Sequence, residues 1–138
     1  MRRMTEIIRH QNPLIMPPET SVREACQAMR DRRVGAVIVA ENDRSLKGIF
    51  TGRDAICRVL AEGRLASRTK IGDVMTPHPE IIAAGKTAID ALRLMQEGHF
   101  RHLPILENNR IIGIVSKGDF RGLEQDRLDE ETGMWERL

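Results

Sequence analysis

The chain has 138 residues, with 22 Lys and Arg against 20 Asp and Glu, a formal net charge of +2. That length suits one compact domain burying about two-thirds of its unfolded surface, and the balanced charge disfavours a nucleic-acid surface. No apolar run nears the ~20 residues of a membrane span, Arg2 and Arg3 lead into no signal-peptide core, and Cys26 and Cys57 lack CxxC spacing, so a reducing cytoplasmic setting is expected.

Residues 1–12 read as a polar lead-in. Pro13 to Pro18 is extended, because its prolines forbid a helix interior. Thr20 or Ser21 can cap a helix whose Val22, Ala25, Cys26 and Met29 share one face. Ala36–Ala40 is short and apolar, as a strand buried on both sides must be. A turn rich in Asn, Asp and Ser leads to a second strand, Leu46–Phe50. Thr51 caps a helix to about Glu62, with Ala55, Ile56, Val59 and Leu60 on one side and Gly63 to end it.

The order then repeats. Residues 63–72 form a connector. Ile81 and Ile82 are extended, and Thr87 caps a helix closed by Gly98. Leu103–Leu106 and Arg110–Val115 are strands around Glu107-Asn108-Asn109, and Ser116 caps a last helix. An offset of 66 carries Ser21 onto Thr87, Ala25 onto Ala91 and Met29 onto Met95. After one residue drops from the turn, an offset of 65 carries Gly48, Ile49 and Asp54 onto Gly113, Ile114 and Asp119. One β-α-β-β-α unit is therefore used twice, over residues 8–62 and 73–124, with a charged tail at 125–138.

Each copy ends in Gly-h-h-Thr/Ser-x-x-Asp: Gly48 to Asp54 and Gly113 to Asp119. The spacing admits two uses. Ser/Thr-x-x-acid is a capping box, which stabilises a helix start without a ligand. It also sets a hydroxyl and a carboxylate at a helix N-terminus, where phosphate is favoured. An ionised aspartate can accept both hydroxyls of a ribose diol. A carboxylate beside a phosphate would repel it, so the better arrangement puts Asp54 and Asp119 on the sugar. Thr51, Arg53, Ser116 and Lys117 then face the phosphate.

These endings, the duplicated order, Val74-Met75-Thr76-Pro77 and Arg101-His102-Leu103-Pro104 resemble a tandem pair of cystathionine-β-synthase (CBS) domains, a Bateman-type module, of the free-standing bacterial kind. In the first copy Ile8-Arg9-His10-Gln11 departs from the Val74–Pro77 pattern. The resemblance implies an α+β fold of two repeats with pseudo-two-fold symmetry and clefts between them. It implies a regulatory adenine nucleotide (AMP, ADP, ATP or NAD(H)), ribose on Asp54 and Asp119, and a base pocket from Ile15, Ala36, Ile81 and Pro104. In the family, basic groups at the second strand reach phosphates. Arg101 and His102 can do so here, or can be solvated residues at a strand end.

The resemblance also implies a homodimer built on helices, for which Ile56, Val59, Leu60, Phe120 and Leu123 are candidates. A separate effector protein would receive the signal. The alternative is a dimeric adaptor with no physiological nucleotide. No catalytic constellation is legible. His10, His78 and His99 have no ligand spacing, so no metal is expected. Cys26 reads as core. Leu128, Trp135 and Leu138 can form an apolar side of the tail that docks on the protein itself or its mate.

Overall fold

In the computed structural model, residues 2–8 and 11–120 are described. The tail residues Leu123, Leu128, Trp135 and Leu138 and the lead-in residue His10 lie outside them. The elements are α1 (Met4–Ile7), β1 (Ile15–Met16), α2 (Val22–Arg32), β2 (Ala36–Ala40) and β3 (Leu46–Thr51). Next come α3 (Gly52–Asp54), α4 (Ile71–Val74), β4 (Thr76–Pro77), β5 (Ile82–Ala83), α5 (Ala88–Gly98), β6 (His102–Glu107) and β7 (Arg110–Ser116). The class is α+β. The strands form one sheet of order β1-β2-β3-β4 and one of order β5-β6-β7.

The chain divides into two compact units. Among the described residues, one holds 12–79 with 109–111, and the other holds 2–8, 11, 80–108 and 112–120. In the first, β1 runs parallel to β2, β2 antiparallel to β3, and β3 antiparallel to β4. All five residues of β2 are buried, as its unbroken apolar run requires. Val37, Val39 and Phe50 pack with Val22, Ala25 and Met29 of α2. Ser21 caps α2, its hydroxyl accepting the Glu24 N–H, and Arg33 ends it in a left-handed conformation. Cys26 packs against this core, and burial raises its thiol pKa, which lowers the thiolate population. Cys57 is exposed.

In the other unit β5 runs parallel to β6. Ala91, Leu92 and Met95 of α5 meet Leu103, Ile105 and Val115 in its core. Thr87 caps α5, and His99 terminates it in the left-handed region.

Two stretches read as connections are structural, and they seat in the same way. Residues 1–12 contain α1, whose Met4 is fully buried with Ile8 in the core around α5. The Met4 N–H donates to the Lys86 carbonyl (2.9 Å), and the Ala88 N–H to the Arg2 carbonyl (2.8 Å). Residues 63–72 contain a 3₁₀ turn, Ala66–Arg68, and the start of α4. The Val22 N–H donates to the Thr69 carbonyl and the Ile71 N–H to the Thr20 carbonyl (both 2.8 Å). Thus the connector together with α4 and β4, the opening of the second repeat, completes the core and sheet of the first unit, and the lead-in to the first repeat completes the core of the other.

Strand glycines make room for these segments. A Cβ at Gly48 would lie 2.6 Å from the Thr76 carbonyl oxygen, a backbone atom that cannot yield. A Cβ at Gly113 would meet the side chains of Ile8 and Gln11. There the Gln11 side-chain oxygen accepts the Ile114 N–H at 2.6 Å, whereas β3 pairs its equivalent, Ile49, with Thr76 of β4. A side chain serves the unit whose lead-in lacks the Thr-Pro strand.

Two residues of the expected dimer face belong to the interior. Val59 is 1% exposed and Phe120 4%, each inside a core. After Asp54 the backbone continues as a π-helix, Ala55–Leu60, whose wider turn shifts residues off the 3.6-residue wheel. Ala55 and Val59 therefore pack inward, while Ile56 and Leu60 are 60% and 71% exposed.

Candidate functional site

The last residue of each long hairpin strand carries a hydroxyl, and the aspartate three residues on folds back onto it. In the first unit the Asp54 Oδ2 accepts the Thr51 N–H at 3.0 Å and the Thr51 hydroxyl at 3.2 Å. The Asp54 N–H donates to Thr51 Oγ1 at 3.2 Å. In the second unit the Asp119 Oδ2 accepts the Ser116 N–H at 2.7 Å and the Ser116 hydroxyl at 3.2 Å. Both capping boxes are formed. In each, one carboxylate oxygen belongs to the box and Oδ1 lies outside it.

The same box occurs at a third place. The Thr87 N–H and hydroxyl both donate to Asp90 Oδ2 at 3.0 Å. The Asp90 carboxyl sits below the ordinary carboxylate range, chiefly because it accepts that backbone N–H. A Thr-x-x-Asp box is thus a local backbone device, and what surrounds it must distinguish a ligand site.

At all three boxes the next N–H bonds a carbonyl from elsewhere in the chain; at the third it is Arg2 of the lead-in, whereas at the first two the partner immediately precedes a strand. The Gly52 N–H donates to the Gly35 carbonyl at 3.1 Å, and Ala36 pairs with Thr51, so the start of β2 lies beside the Asp54 turn. The Lys117 N–H donates to the Arg101 carbonyl at 2.9 Å, which sets the start of β6 beside the Asp119 turn. Each unit therefore gathers a hydroxyl, a carboxylate and a strand start. Around Asp54 these are Thr51, Arg53 and buried Ala36. Around Asp119 they are Ser116, Lys117, Arg101 and His102. Ile15 pairs with Ile38, two residues along β2 from Ala36, and Pro104 is buried on β6. Ile81 is exposed and borders a groove of about 380 Å³ shared with Lys86, Asp90, Arg93 and Glu97.

The electrostatics are unequal. The Asp119 turn has Lys117 and Arg101 at the surface and is exposed. Asp54 is only 7% exposed, and a buried carboxylate needs partners. Beyond the box it has Arg58, whose Nε lies 3.6 Å from Asp54 Oδ1. The Arg58 Nη1 donates to the Met75 carbonyl at 2.8 Å. Sequence reasoning missed Arg58, although an Asp and an Arg four apart on one helix was a legible signal.

His102 is half-buried. Desolvation lowers its pKa from the ordinary 6.5; Asp119 opposes that shift and Arg101 adds to it. The unfolded chain then takes up a proton more readily than the folded one, so stability is full above that ordinary value and falls as pH drops through it toward the folded pKa. A melting curve at about pH 7.5 and about pH 5.5 should show this loss, and His102→Gln should diminish it. An equal loss in the variant would assign the acid sensitivity elsewhere. Among the described residues, no three His, Cys, Asp or Glu side chains gather as a metal site. No helix among them is long and apolar enough to cross a membrane.

Comparison with known proteins places this architecture. The family model "CBS domain" matches twice, over residues 4–61 and 71–125. The CBS domain-containing protein CBSCBSPB3 of Arabidopsis thaliana is 36% identical over 113 residues, 82% of this chain and 20% of that protein. The chain thus spans about one-fifth of the length of that relative. The crystal structure of the CBS domain protein NE2398 is similar with a TM-score of 0.80 and 28% identity, covering 93% of this chain and 99% of that one. The CBS domain protein PAE2072 from Pyrobaculum aerophilum, solved complexed with AMP, shares the fold with a TM-score of 0.82 at 20% identity, covering 93% of this chain and 98% of its own. Two CBS matches, two units each carrying a boxed aspartate and a close structural likeness lead to one statement: the chain belongs to the CBS-domain family, as a tandem pair that forms a regulatory module.

Proposed function

We propose that this pair is a non-catalytic sensor of adenine nucleotides (AMP, ADP, ATP or NAD(H)) that signals to a separate effector protein in the cytoplasm. The carrying observation is the repeated convergence of box and strand start, through Gly52 on Gly35 and Lys117 on Arg101. Asp54 and Asp119 take the ribose hydroxyls on Oδ1, the oxygen outside the box. Arg53, Lys117, Arg101 and His102 take phosphate, and Ile15, Ala36, Ile81 and Pro104 face the base. The hydroxyls of Thr51 and Ser116 each have one proton, already given to the aspartate. They join the phosphate only by turning away from it; otherwise their part is to hold the carboxylate still. That PAE2072 was solved with AMP supports the choice of ligand class.

Thermal shift with AMP, ADP, ATP, NAD⁺ and NADH tests this, because a ligand of the folded state must raise its melting temperature. A rise with one of them, lost in the Asp54→Ala, Asp119→Ala double variant, is expected. No rise with any would favour the second reading, a dimeric adaptor without a nucleotide. That reading is supported by Ile56 and Leu60, neighbours one turn apart and largely exposed. They suit the dimer contact in either case, and Leu60→Lys should convert a dimer to monomer by light scattering.

A further inference from the structure

We propose that Arg58 is a specificity-determining latch that makes the two aspartates unequal, so that nucleotide fills the Asp119 turn before the Asp54 turn. The inference rests on the nucleotide reading and concerns the order and strength of binding within it. In both turns the box takes Oδ2 and leaves Oδ1 for a ribose diol. At Asp54, Oδ1 already faces the Arg58 guanidinium at 3.6 Å. At the repeat-equivalent position, 65 residues on, the chain has Leu123, which cannot form such a pair. Among the described residues no ion pair to Asp119 is formed, and Asp119 is exposed.

Arg58 is well anchored for such a role. Its Nη1 bonds the Met75 carbonyl at 2.8 Å, so a second anchor holds the guanidinium while its Nε faces the carboxylate. The residue lies within the π-helical stretch, a backbone irregularity frequent at functional sites. The Arg58 side chain is 48% exposed against 10% for Asp54, so the pair is half-solvated and can open. Ribose must displace it, and binding at the Asp54 turn is weaker by what that displacement costs.

The test isolates the Asp54 turn in an Asp119→Ala background and titrates AMP by calorimetry. Arg58→Gln removes the charge but keeps an amide donor for the Met75 carbonyl, and Arg58→Leu installs the residue of the other repeat. Each should tighten AMP binding by roughly two- to fivefold, the range of a half-exposed ion pair. Arg58→Lys, which restores the charge, should return affinity to the Arg58 value, a result that a merely structural role would not produce. Melting curves report whether each variant folds, and Arg58→Gln carries the test if Arg58→Leu does not. Unchanged or weaker binding in Arg58→Gln, with AMP still bound by the protein carrying Arg58, overturns the latch alone. No binding to the unmodified protein by AMP or any other nucleotide of the panel overturns the nucleotide reading and the latch with it.

Discussion

Asp119→Ala should weaken adenine-nucleotide binding by roughly ten- to a hundredfold, the loss expected when charge-assisted hydrogen bonds worth about 1.5–3 kcal/mol disappear. Asp119 is the exposed carboxylate, flanked by Lys117, Arg101 and His102, and its Oδ1 is outside the capping box. Asp54→Ala should cost less, because that carboxylate must first part from Arg58. Either alanine also removes the acid of a capping box, so Asp119→Asn is the companion variant. It keeps the shape and an acceptor for the Ser116 N–H while removing the charge. Calorimetry on the three variants decides. Equal losses at both aspartates would contradict the inequality, and no loss at either would move the ribose elsewhere.

Regular segments were legible wherever local chemistry and burial agree. Strand β2 is apolar at every position and buried at every position. Helix α5 begins at the hydroxyl residue Thr87 as read, and α2 at Ser21, one of the two caps the sequence offered with Thr20. The boxed turns were legible too, but their meaning was not. The identical box at Thr87–Asp90 shows that Thr-x-x-Asp reports a helix start. There too the next N–H, that of Ala88, reaches a distant carbonyl, Arg2; the two candidate turns differ in that their partners, Gly35 and Arg101, immediately precede the strands β2 and β6. Those contacts join residues far apart in sequence, beyond the reach of any spacing rule.

The misread residues share a cause. Val59 and Ile56 look alike on a 3.6-residue wheel, yet one is buried and the other exposed, because the backbone there winds as a π-helix. Phe120 follows a short 3₁₀ turn, Lys117–Asp119, where a helical wheel has no phase to offer. Arg58 was visible as an i+4 partner of Asp54, but its second anchor at Met75 depends on where the chain returns after α4. Tertiary geometry, not propensity, set these three outcomes.

The lead-in segments make the sharpest stability test. Met4 is fully buried within the core of α5, β5, β6 and β7, so Met4→Ala should destabilise by about 2–5 kcal/mol through lost burial and the cavity left behind. The sequence held the signal: Met4, Ile7 and Ile8 follow the i, i+3, i+4 rhythm of a helical face, but among Arg2, Arg3 and Glu6 it reads as polar. Ile71 occupies the matching place in the other unit, equally buried and bonded through its N–H to Thr20. Ile71→Ala should therefore cost a similar amount. Hydrogen exchange separates the two. Met4→Ala should reduce protection first in β6, and Ile71→Ala first in β2, because each lead-in belongs to the core it packs against and not to the repeat it precedes. If Met4→Ala left the melting temperature unchanged, α1 would be an ornament on the surface. If it loosened β2 before β6, the assignment of α1 to the core around α5 would be wrong.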